Sequence, residues 1–217
     1  MEDRLLSGRL GGAARRFPGK LRRAALRRLH PETASPGEHW LRETLNESVA
    51  EHIRSLGPEG LSAAEISGGF HAGHPWREYT TLDFPAFDLC APPARHRRFD
   101  VVICEQVLEH VPQPFAAVET LGELCVPGGH VIVSTPFLVR VHELPMYGLA
   151  DYWRFTPRGL RALLESTGLT VERIESWGNR RVIAANLDWW SRRRPWQTLR
   201  NEPDLPVQVW AFARKPG

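Results

Sequence analysis

Apolar residues return every three or four positions between residues 40 and 56, where Trp40, Leu41, Leu45, Val49, Ile53 and Leu56 share one side of a 3.6-residue period. The spacing predicts a helix with one buried face. Ser35-Pro36-Gly37-Glu38 marks its start, with a capping Ser, Pro at the first helical position and Glu at the third, and Gly57-Pro58 stops it. Beyond that stop the period shortens. Residues 61–66, 79–82, 99–104, 130–134, 169–174 and 207–213 are short apolar runs that read as strands. The run 99–104 has β-branched residues on both faces, as a parallel strand buried on two sides requires. Pro114, Phe115, Val118, Leu121 and Leu124 trace a helix face that ends at Pro127-Gly128-Gly129. Thr156-Pro157 opens another helix, carrying Leu160, Leu163 and Leu164, and Gly168 suits a left-handed position at its end. Strands alternating with helical patterns predict βαβ units and a mainly parallel sheet.

In an open sheet of this kind ligands sit beyond the carboxyl ends of the strands. Those ends hold Glu65 through Gly69, Asp83, Glu105-Gln106 and Ser134-Thr135-Pro136. A carboxylate closing the second strand can accept two hydrogen bonds from the ribose hydroxyls of an adenosine cofactor. A glycine-rich turn after the first strand lets the backbone approach that cofactor closely.

Residues 99–111, a strand running into Leu108-Glu109-His110, are followed by a helix, Pro127-Gly128-Gly129 and a strand ending in Thr135-Pro136. Together with His142, Pro145 and Asp151-Tyr152-Trp153-Arg154-Phe155-Thr156-Pro157, they resemble the class I S-adenosylmethionine-dependent methyltransferases of the type 11 bacterial group. The resemblance covers roughly residues 61–181. It implies that Glu65, Ser67 and Gly68 occupy the first cofactor motif and Asp83 the ribose position. It also implies that Asp88 and Leu89 lie near the adenine, and Glu105 and Gln106 near the methionine moiety. The fold it implies is α/β: a Rossmann-like three-layer α/β/α sandwich with a mostly parallel sheet and an antiparallel last strand.

Two departures stand out. Ser67 replaces the first glycine of the usual motif, and the stretch is not the G-x-G-x-x-G of a dinucleotide site. Only fifteen residues separate Asp83 from Phe99, too few for a helix, a strand and another helix, so one sheet edge is expected to be shortened.

Methyl transfer to oxygen is an in-line displacement that needs a placed nucleophile and often a base for its proton. His142 is the first candidate base and His110 the second. His71-x-x-His74 has no evident third ligand, so no metal is expected. Asp151, Tyr152, Trp153 and Arg154 could line an acceptor pocket, the aromatics stacking on a ring and Arg154 pairing with an anion. An Asp151–Arg154 ion pair with core packing by Trp153 and Phe155 is the equal alternative. Trp177 and Trp189-Trp190 add aromatic surface near positive charge.

Charge changes the picture at one end. Residues 1–30 carry nine Lys or Arg against Glu2 and Asp3, a charge of +7, whereas the whole chain of 217 residues is only +3. We therefore expect a basic arm over 1–34 and a methyltransferase domain over 35–217. The arm suits weak contact with an anionic membrane surface, or it is a solvated tail. The three cysteines share no metal spacing and read as reduced thiols, in keeping with a cytoplasmic protein. The expected activity is methyl transfer from S-adenosylmethionine to a small-molecule acceptor, an oxygen nucleophile preferred, in a sugar, cell-envelope or secondary-metabolite intermediate. The alternative is a catalytically silent binding or scaffold protein. No nucleic-acid partner is expected, because position 105–108 lacks an Asn/Asp-Pro-Pro-aromatic motif.

Overall fold

The computed structural model describes residues 39–143 and 148–217. The basic arm, the capping Ser35 and Pro145 lie outside the described residues.

Six strands form one sheet: β1 (Ser62–Ile66), β2 (Glu78–Leu82), β3 (Phe99–Glu105), β4 (Cys125–Pro136), β5 (Thr170–Trp177) and β6 (Gln208–Arg214). Their order is β2-β1-β3-β4-β6-β5. Neighbours among β1 to β4 run parallel, and β6 runs antiparallel to both β4 and β5. The reversed last strand matches expectation. Among the described residues no strand pairs beyond β2, so the sheet is short on the side where only fifteen residues link Asp83 to Phe99. Among the described residues four α-helices accompany it: α1 (Glu43–Leu56), α2 (Pro114–Leu124), α3 (Pro157–Glu165) and α4 (Arg180–Ala185).

Alternating side chains of each strand point to opposite faces, which divides the core in two. Ala63, Val101, Ile103, Ile132, Trp210 and Phe212 pack on one face with Trp40, with Leu45, Val49 and Ile53 of α1, and with Val182 of α4. Ala64, Val102, Cys104, Val131, Val133 and Ala211 pack on the other, under Val118 and Leu121 of α2 and Leu160 and Leu164 of α3. Strands buried on both sides explain why their sequences read as continuous apolar runs. Cys104 and Cys125 are buried free thiols and Cys90 is a half-buried one.

Local signals hold where they can be compared. Thr156 caps α3 by accepting from Gly159 N at 3.0 Å, with Pro157 in the first turn, and Gly168 takes φ +86° just past its end. The α-helix near the start of the described chain begins at Glu43, after a 3₁₀ turn over Trp40–Arg42. Strand β4 begins at Cys125, five residues before the run at 130–134, and absorbs the Pro-Gly-Gly turn. Gly129 is required there, since a Cβ would stand 2.8 Å from Asp100 O and 2.7 Å from Cys125 Sγ. One reading is corrected. Trp177 is not surface but a buried end of β5, its indole N–H donating to Leu199 O at 2.8 Å.

Candidate active site

The first group forms at the carboxyl ends of β1 and β2. Glu65 is 1% exposed, and its carboxylate accepts the backbone N–H of Phe70 and of His71, each at 3.0 Å, together with the Tyr79 hydroxyl. Burial, then the neighbouring carboxylate, push the Tyr79 hydroxyl well up, so it remains a donor. Glu65 thus holds the loop that follows β1 from within. Gly68 lies over it so closely that a Cβ would overlap Glu65 Oε1. Ser67, in the left-handed region at φ 50°, donates its N–H to Leu82 O at 3.0 Å and ties the two strand ends together. Asp83 follows β2 directly and is exposed. A loop crowded against Glu65 at Gly68, beside an exposed carboxylate, fits a nucleoside cofactor approached by backbone.

The second group closes β3. Glu105 is buried against Arg42 in a direct ion pair, and His71 Nε2 stands 3.3 Å from its other oxygen. Burial alone would raise the Glu105 carboxyl, but His71 and Arg42 outweigh it and hold the group below its ordinary value. Gln106 adopts φ 57°, and its amide donates to Ser134 Oγ at 3.1 Å and to Gln208 Oε1 at 2.8 Å, bridging β3, β4 and β6.

The third group lies one turn on. Glu109 is fully buried, and neither carboxylate oxygen has a hydrogen-bond partner. Burial pushes its carboxyl up to about 8. The Nε2 atoms of His110 and His142 stand 3.8 and 4.0 Å from Glu109 Oε1, their rings edge-on with centroids 5.1 Å apart. His110 Nδ1 faces Ala150 O at 2.7 Å, while His142 Nδ1 faces Arg140 O at 3.3 Å and Asp151 Oδ2 at 3.2 Å. Those are acceptors, so Nδ1 of each ring carries a hydrogen and donates to them, which in the neutral tautomer leaves the lone pair on Nε2. Burial, against the pull of Asp151, lowers the His142 value and keeps the ring neutral.

Asp151 organises this corner. It accepts the His142 N–H at 2.8 Å and a two-pronged contact from Arg154. Burial would raise its carboxyl, yet Arg154 and His142 hold it down. The Asp151–Arg154 pair is therefore real, and Arg154 also donates to Trp153 O and Arg140 O. Tyr152 N–H donates to Glu109 O at 2.7 Å and the Trp153 indole to Val111 O at 2.9 Å, docking this segment on the Leu108–His110 turn. Both aromatic rings remain exposed, and Trp153 stacks on Phe155. Trp190 covers His142 edge-on at 5.4 Å, with the Arg140 guanidinium 4.2 Å above its ring.

The expected residues thus fall into two neighbouring sets, one around Glu65, Ser67, Gly68, Asp83, Glu105 and Gln106 and one around His110, His142 and Asp151. Asp88 and Leu89 lie on the loop that follows Asp83. Asp88 Oδ1 caps its own turn at Cys90 N, and Leu89 is buried in the core with its carbonyl accepting the Thr120 hydroxyl. Arg42, Tyr79 and Glu109 were missed as site residues. Arg42 carried a signal, as a cation beside Trp40 and Leu41 on an otherwise apolar helix face.

A methyltransferase-domain family model matches residues 33–174. The ubiquinone biosynthesis O-methyltransferase of Paraburkholderia xenovorans (strain LB400) is 37% identical over 144 residues, covering 58% of this chain and 62% of that protein. Its namesake from Xylella fastidiosa (strain M23) is 33% identical over 110 residues, 42% of this chain and 44% of that protein. The chain thus spans less than two thirds of the length of these relatives. Among solved structures, the N-methyltransferase NodS from Bradyrhizobium japonicum WM9, in complex with S-adenosyl-L-homocysteine, superposes with a TM-score of 0.54 at 14% identity, over 89% of this chain and 98% of that one. The chain belongs to the methyltransferase-domain family, as a member with the class I, S-adenosylmethionine-dependent fold.

Proposed function

We propose that the chain transfers a methyl group from S-adenosylmethionine to an oxygen of a small-molecule acceptor. The observation that carries this reading is the pair of imidazoles, His110 and His142, with their Nε2 atoms turned to one buried corner just past the carboxyl end of β3. When bound, the cofactor supplies an electrophilic methyl on sulfonium. The acceptor oxygen forms the new bond to carbon, the carbon–sulfur bond breaks, and S-adenosylhomocysteine leaves with the electron pair. Glu65 and Gly68 shape the cofactor loop, Asp83 receives the ribose, and Glu105 and Gln106 border the methionine end. His142 is the group placed to take the acceptor's proton, with His110 beside it and Asp151 fixing its tautomer. Tyr152, Trp153 and Trp190 form the rim on which a flat or sugar-like acceptor would rest. The O-methyltransferase names of the curated relatives support oxygen over nitrogen.

Titration calorimetry tests the cofactor half. The protein should bind S-adenosylmethionine, and Asp83→Ala should weaken binding at least tenfold while His142→Ala changes it little. Absence of heat with both S-adenosylmethionine and S-adenosylhomocysteine would remove the reading.

A further inference from the structure

Glu109 presents a problem that the proposed reaction does not solve. A carboxyl group with no exposed surface and no hydrogen-bond partner on either oxygen is costly in a protein interior even when protonated, and more so when charged, unless something compensates it. Two imidazole lone pairs face it, and each imidazole is oriented from behind by an acceptor on its Nδ1, namely Ala150 O for His110 and Asp151 with Arg140 O for His142. One ligand atom from each of the three residues lies within 4.8 Å of the other two. A lone pair aimed inward with its second ring nitrogen donating outward is the arrangement of metal-bound histidine.

We propose that Glu109, His110 and His142 bind one divalent transition-metal ion through the Glu109 carboxylate and the two Nε2 atoms. The chemistry of the set is two imidazole nitrogens and one carboxylate, which suits Zn²⁺, Fe²⁺ or Mn²⁺ and leaves coordination positions open. The ion compensates the orphaned carboxylate. It also deepens the reading of the acceptor side, on which its catalytic role rests. An ion there would acidify an acceptor hydroxyl at an open position, and His142 would then act as its ligand in place of the base role proposed above. This set differs from His71 and His74, whose rings stack 5.9 Å apart and which belong to no three-ligand cluster among the described residues.

The test is uptake of zinc by the full-length chain, treated with chelator and titrated with zinc chloride by calorimetry without cofactor, followed by Co²⁺ substitution read by its visible absorption. One ion per chain is expected. Glu109→Gln and His142→Ala should each weaken uptake at least tenfold, Asp151→Asn should weaken it less, and His74→Ala should leave it unchanged. Glu109→Gln keeps the shape of the side chain, so it decides the matter should His142→Ala fail to fold. Lack of saturable uptake, uptake undiminished in Glu109→Gln, or uptake lost in His74→Ala would overturn the proposal. Because no cofactor is present, failure here leaves the S-adenosylmethionine reading standing, and failure of that reading leaves this one standing.

Discussion

Glu105 and Glu109 sit four residues apart at and just beyond the end of β3, both buried, and their surroundings are opposite. Glu105 has Arg42 on one oxygen and His71 beside the other, and its carboxyl is held below its ordinary value. Glu109 has no hydrogen-bonding partner, and burial lifts its carboxyl to about 8. Glu105 is therefore charge-compensated by Arg42 within the chain, with its second oxygen facing His71 Nε2, whereas Glu109 has no hydrogen-bond donor on either oxygen. A buried cation completes the first carboxylate, and the ion proposed above would complete the second.

The comparison breaks most visibly at Arg42. Arg42→Met removes the cation while leaving Glu105 buried, and should cost about 3–5 kcal/mol of unfolding free energy. Arg42→Met combined with Glu105→Leu should recover most of that, since the charge no longer needs a partner. Urea unfolding monitored by circular dichroism measures both. Near-equal stability of Arg42→Met and the parent would mean that Glu105 is completed by His71 alone.

The pair also has a pH signature. The Glu105 carboxyl lies lower when folded than its ordinary value near 4.5. Its contribution is thus present above that value and lost as pH falls through the folded one. Glu105→Gln should flatten the fall in unfolding free energy below pH 4.5, and a slope identical to the parent would show that the Arg42 pair adds nothing.

Glu109→Gln addresses the other member. Without added metal it should raise stability at pH 8 by about 1–3 kcal/mol, because an uncompensated carboxyl is replaced by a neutral amide. Thermal melts with and without zinc separate the two effects, since the parent alone should gain from the ion. A less stable variant in the absence of metal would show that the protein itself already satisfies Glu109.

The layered fold was legible because Val101, Ile103 and Ile132 serve one face of the sheet while Val102, Val131 and Val133 serve the other, and burial on both sides leaves an apolar run. The shortened edge was legible from chain length alone. The cofactor side was legible in part, since Glu65, Asp83, Glu105 and Gln106 close their strands in order. What could not be read was pairing across the chain. Arg42 and Glu105 lie 63 residues apart and His110 and Ala150 forty, and no periodicity reports such contacts. Leu89, which the resemblance sets near the adenine, has its apolar side chain buried in the core, where burial of that surface is most favourable.

The smallest effect lies on the completed side, at Ser67. Its φ of 50° is a left-handed conformation that costs a non-glycine residue about 1 kcal/mol, and the hydrogen bond from its N–H to Leu82 O holds it there. Its hydroxyl adds only a long contact with Phe84 N at 3.4 Å. Glycine would remove the backbone strain and lose little, so Ser67→Gly should stabilise the chain by about 0.5–1 kcal/mol and bind S-adenosylmethionine at least as tightly. If Ser67→Gly instead loses cofactor affinity several-fold, the hydroxyl is itself a cofactor contact. The side of the site that looks complete would then, like the acceptor side, depend on a ligand to satisfy it.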